Sequence, residues 1–123
     1  MKHFPDELEF ISLFSSEPVK RYNDLPFEYE ESTFRFENAT ETFIVKMRPI
    51  DGEFLLEVKN KNDGALIAHY DFKTVGNLEI IKDDKESSKV LLFLDDDRTR
   101  FITTVELSFK PKFCSIFKEQ FDG

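Results

Sequence analysis

Residues 89–109 constrain the fold more than any other stretch of this chain. Val90, Leu91, Leu92, Phe93 and Leu94 make an unbroken apolar run, and Asp95, Asp96, Asp97 and Arg98 interrupt it. Beyond them Phe101, Thr103, Val105, Leu107 and Phe109 alternate with Arg100, Ile102, Thr104, Glu106 and Ser108. A period of two marks a strand with one dry face and one wetter face. An unbroken run needs cover on both faces, so the stretch predicts a β-hairpin whose first strand lies centrally, with a further layer over its second face.

Other strand signals precede it. Phe43, Val45 and Met47 share one face of 42–48, and Phe54, Leu56 and Val58 share one face of 53–59. Segments 33–36, 65–72 and 78–81 read as further strands. Asp51-Gly52 is expected to form a two-residue hairpin turn, residues 60–64 a polar turn, and Gly76-Asn77 a turn into the next strand. Before the strands, Pro5, Asp6 and Glu7 suit the first turn of a helix, and Leu8, Ile11 and Phe14, with Phe10 beside them, form its apolar stripe. After them Pro111 can open a second helix carrying Phe113, Ile116, Phe117 and Phe121 at spacings of three and four, with a final edge strand as the alternative. The expectation is an α+β fold: a predominantly antiparallel meander of six or seven strands, an N-terminal amphipathic helix and a short C-terminal helix. Residues 1–123 are expected to form a single compact domain.

The core of such a domain would be aromatic, since the chain has fifteen phenylalanines and no tryptophan. Cys114, the only cysteine, precludes an intrachain disulfide, and its apolar neighbours suggest an inert core thiol. Acidic residues near Met1 and the lack of a long apolar run point to a cytoplasmic protein without a membrane partner.

Little catalytic chemistry is visible. His69 and Asp71, two apart on one predicted strand, could form a hydrogen-bonded pair, but no nucleophile accompanies them. Asp95 and Asp97 with Glu106 partly match a calcium-loop spacing that fails where Arg100 stands in place of the required glycine. Scattered glycines form no phosphate-cradling loop, and one cysteine with two distant histidines forms no zinc set. No catalytic residue, metal ligand or cofactor is therefore expected.

Charge is more informative. The net charge of −8 disfavours nucleic acid as a partner and favours something basic. Between residues 24 and 41, Asp24, Glu28, Glu30, Glu31, Glu37 and Glu41 oppose only Arg35, leaving nineteen acids and sixteen bases for the rest of the chain. Most of the excess is thus concentrated in one segment, among Phe27, Tyr29, Phe34 and Phe36. Carboxylates that steer an approaching cation, set around rings that supply contact energy, describe an interface for a basic protein. The expected partner-binding residues are Asp24, Phe27, Glu28, Tyr29, Glu30, Glu31 and Glu37, with Asp95, Asp96 and Asp97 at the hairpin tip. The expected function is a non-enzymatic protein-binding module, an acidic inhibitor or immunity-type protein that neutralises a basic toxin such as a nuclease. Two alternatives are a small-molecule binder or enzyme with an aromatic-lined pocket and a structural or oligomeric subunit pairing through strand edges.

Overall fold

The computed structural model describes residues 1–94 and 101–121. One helix and nine strands are present among them. Helix α1 (Glu7–Phe14) precedes strand β1 (Val19–Lys20), β2 (Ser32–Glu37), β3 (Glu41–Arg48), β4 (Glu53–Asn60), β5 (Leu66–Phe72), β6 (Val75–Asp83), β7 (Ser88–Leu94), β8 (Phe101–Lys110) and β9 (Cys114–Phe121). All strand pairs are antiparallel and join neighbours in the chain, in two sheets ordered β1-β2-β3-β4-β5 and β6-β7-β8-β9.

Period-two patterning decides what meets between the sheets. Phe34, Phe43, Val45, Met47, Phe54, Leu56 and Val58 of the first sheet and Leu78, Val90, Leu92, Val105, Leu107 and Phe109 of the second are buried in one cluster. Helix α1 adds Phe10, Leu13 and Phe14 to it. The Phe14 ring lies 4.4 Å from Phe36, 5.0 Å from Phe34 and 5.6 Å from Phe109 by centroid, so it ties the helix to both sheets. At another margin the Tyr70 hydroxyl of β5 hydrogen-bonds Ser115 of β9 at 2.8 Å, with the Phe117 ring 5.4 Å from Tyr70.

The helix starts at Glu7, later than expected, with Pro5 outside it and Asp6 as its N-cap: the Asp6 side chain accepts from the Glu9 amide, and the Glu9 side chain accepts from the Asp6 amide. Its buried face is displaced from the expected stripe. Phe10, Leu13 and Phe14 point inward, whereas Leu8 is 75% exposed, because the densest aromatic packing selects the face carrying both phenylalanines.

The anticipated seven strands are all present, and two more join them. β1 is short, and β9 replaces the C-terminal helix. Spacings of three and four among Phe113, Ile116, Phe117 and Phe121 mimic a helical face, but 114–121 pairs with β8 from Ser108↔Cys114 to Phe101↔Phe121. That ladder satisfies backbone groups which a helix would have satisfied internally, in residues whose aromatic and β-branched side chains suit a pleated surface. β7 is central as expected, but Leu91 and Phe93 on its second face are only half-buried. Cys114 is exposed, contrary to the expected core thiol, because it faces outward at the start of β9.

Two turns also differ. The β3–β4 connection is longer than two residues, with a 3₁₀ turn at Pro49–Asp51 before Gly52. Gly52 has φ +70°, and a Cβ there would stand 2.8 Å from the Val75 carbonyl oxygen, where the chain crosses from one sheet to the other. Gly76 and Asn77 lie within β6, where Asn77 forms a parallel bridge with His3 and the amides of Lys2 and Leu78 bond to Gly76 and His3 carbonyls.

Candidate partner-binding interface

Residues 21–31 leave β1 and return to β2 as a closed loop. The Arg21 amide donates to the Glu31 carbonyl at 3.1 Å, bringing the loop ends together, and a 3₁₀ turn at Phe27–Tyr29 folds its far side. Glu30 fastens it from within. Its Oε1 accepts from the amides of Tyr22 at 3.0 Å and Glu31 at 3.1 Å, while its Oε2 has no partner.

This changes the role of several residues read from the acidic segment. Glu30 is 0% exposed, so it shapes the loop and presents no charge to an incoming protein. Phe27 turns inward, its ring 5.8 Å from Phe10. Glu31 is held by Lys46 at 3.2 Å and Arg21 at 3.3 Å, and Glu37 by Lys61 at 2.9 Å. Partial burial pushes the Glu31 carboxyl up, but the hydrogen bonds and charges of Lys46 and Arg21 outweigh it and keep the group below its ordinary value. Glu41 is buried and accepts from the Asn38 side chain and the Phe113 amide, each at 2.8 Å. Asp95, Asp96 and Asp97 lie outside the described residues.

Among the described residues Glu37 is exposed but paired, and Asp24, Glu28 and Tyr29 are the expected residues left accessible without a partner. The loop displays them beside Tyr22 and Leu25, which the composition argument had passed over. Tyr22 is 59% exposed and Tyr29 48%, and the Arg21 guanidinium sits 5.3 Å from the Tyr22 ring centroid. Two tyrosines and a leucine stand exposed on one tied loop that also carries Asp24 and Glu28, neither of them in an ion pair. Aromatic anchors of this kind carry a large share of binding energy in protein interfaces. The sequence signal for Tyr22 and Leu25 was their lack of period in a segment with no strand partner.

No family model matches the chain, and no curated protein matches it. One solved structure superposes along nearly its whole length: a chain from the structure described as a contact-dependent growth inhibition toxin - immunity protein complex from Klebsiella pneumoniae 342, with a TM-score of 0.71, 17% identity, and 97% of each chain covered. The two chains share a fold.

The catalytic candidates resolve differently. His69 Nδ1 faces Glu57 across the β4–β5 pair at 3.8 Å, and Asp71 holds Lys73 at 3.2 Å, so the anticipated His69–Asp71 pair gives way to separate surface contacts. The cross-strand register, rather than spacing along one strand, sets these partners. Among the described residues no group of three or more His, Cys, Asp or Glu side chains is placed to hold a metal ion. No helix among them is long and apolar enough to cross a membrane.

Proposed function

We propose that this chain is a non-enzymatic immunity-type protein that binds and neutralises a toxin, with the loop at 21–31 as its contact surface. The observation that carries the reading is the full-length likeness to a chain of a toxin - immunity protein complex. The loop supports it with exposed Tyr22, Leu25 and Tyr29 and with Asp24 and Glu28, neither of them in an ion pair among the described residues. The partner expected from these acids is a basic protein, for which a nuclease toxin acting in the cytoplasm is the concrete case: such an enzyme needs cations to hold its polyanion, and carboxylates can meet them. With Glu31 and Glu37 engaged by lysines and arginine, aromatic contact supplies affinity and the two free acids supply orientation.

Titrating the purified chain into the candidate toxin domain encoded by a neighbouring reading frame tests the reading, together with rescue of growth on co-expression. Tyr29→Ala and the double change Asp24→Lys with Glu28→Lys are each expected to weaken binding by about tenfold or more, the charge changes with a reduced salt dependence. Unchanged affinity in both variants removes the loop as the surface. Absence of both complex and rescue removes the toxin-neutralising role.

The aromatic-pocket reading has less to stand on. Phe10, Phe14, Phe34, Phe36, Phe43 and Phe109 pack on one another between the layers instead of surrounding a cavity.

A further inference from the structure

We propose that the groove between the β2–β3 turn and the β8–β9 turn binds a small phosphate-bearing ligand, independently of the loop assigned to protein binding. The groove is open, has a volume of about 560 Å³, and is bordered by Thr40, Ser87, Lys89, Lys112 and Phe113. Its walls are fixed: the Asn38 side chain donates to the Phe109 carbonyl at 2.9 Å, and Glu41 accepts the Phe113 amide, so one sheet's turn is stapled to the other's. Across the second sheet, Lys89, Ser108 and Cys114 form one cross-strand row along its edge.

Among the described residues, every lysine or arginine in an ion pair falls between Lys20 and Lys73, on the first sheet and its connections. From Lys82 onward, among the described residues, no lysine holds a carboxylate. Two acids of this end, Asp83 and Asp84, are engaged by neutral hydrogen-bond donors. Asp84 Oδ1 accepts from the amides of Ser87 at 2.8 Å and Glu86 at 3.0 Å, which keep its carboxyl below the ordinary value, and Asp83 accepts from Ser12 at 2.8 Å. Glu41 spends one oxygen on Asn38 and Phe113. Lys110 donates to the Asp84 carbonyl. Lys89 and Lys112, neither of them in an ion pair, line this groove in an otherwise strongly acidic protein.

The donor set favours phosphate over carboxylate. No arginine lines the groove, so the planar, two-pronged recognition that suits a carboxylate is missing, whereas two ammonium point charges with the Ser87 hydroxyl suit a tetrahedral oxyanion. Pro111 and Phe113 add an apolar wall against which a compact ring attached to the phosphate can lie.

Amide chemical-shift titrations of the full chain with inorganic phosphate, phenyl phosphate and benzoate, at constant ionic strength, test the proposal. Saturable shifts are expected at Thr40, Ser87, Lys89, Lys112 and Cys114, with phenyl phosphate binding about tenfold more tightly than inorganic phosphate and benzoate more weakly than either. The double variant Lys89→Glu with Lys112→Glu is expected to lose the shifts while its spectrum stays dispersed; should it not fold, Lys89→Gln with Lys112→Gln replaces it. Lack of saturable shifts, benzoate binding as tight as phenyl phosphate, or undiminished binding in the folded double variant would overturn the assignment.

Discussion

Replacing Glu30 with alanine removes the acceptor that joins the two limbs of the 21–31 loop. The amides of Tyr22 and Glu31 then lose their partner. Each orphaned donor costs about 1 kcal/mol, near the low end because the loop is only part-buried, and one lost buried methylene adds about 0.8 kcal/mol. Removing a carboxylate whose second oxygen is buried without a partner returns about 1 kcal/mol. The net loss is about 2 kcal/mol, or a fall in Tm of roughly 6–10 °C for a chain of this size. Glu30→Gln keeps an acceptor oxygen of the same reach and is expected to stay within about 1 kcal/mol of the parent. Thermal melts and hydrogen exchange at Tyr22 and Glu31 provide the assay. Faster exchange at both amides in the alanine variant, with recovery in the glutamine variant, is the expected result. Equal protection in all three proteins would refute the idea that Glu30 holds the loop.

The remaining predictions concern the frame and its charges. Phe14→Ala, which empties the contact shared by α1 and both sheets, is expected to cost about 3–5 kcal/mol in denaturant unfolding; a loss below about 1 kcal/mol would mean the helix is peripheral to the core. Gly52→Ala should be the harsher of two glycine changes, because it adds a clash with the Val75 carbonyl to the penalty of a positive φ, whereas Gly64→Ala at φ +71° meets nothing within 4 Å. The Gly64 variant is expected to lose about 1 kcal/mol and the Gly52 variant at least twice that, measured by chemical denaturation. Glu31 has a folded pKa below its ordinary value of 4.5, so its stabilising share is present above that value and fades as pH falls through the lower folded one. The melting difference between the parent and Glu31→Gln should therefore shrink on acidification; a constant difference from neutral pH to about pH 3 would contradict the ion-pair account.

Strand patterning was legible where one face is dry. Phe43, Val45 and Met47, or Val105, Leu107 and Phe109, declare their strands by alternation alone, and the buried set follows from it. The C-terminal segment misled because Phe113, Ile116, Phe117 and Phe121 satisfy both a helical and an extended pattern, and only the availability of the β8 edge decides between them. The division into two sheets was invisible too: the crossing at 73–74 depends on the close backbone approach of Gly52 and Val75, far apart in the chain. For the candidate site, composition pointed to residues 24–41 but could not assign their charges. Lys46 and Lys61 reach Glu31 and Glu37 only after the strands are in register, and Glu30 differs from Glu28 in nothing but the direction in which the loop turns it.

The strand order has a kinetic meaning. Each strand hydrogen-bonds only to the one made immediately before or after it, so most of the ladder forms at small loop-closure cost, hairpin upon hairpin. A β-rich chain of this kind can assemble progressively during synthesis, with the docking of the two sheets left as the long-range step. For a protein whose proposed task is interception, that route shortens the interval between translation and readiness.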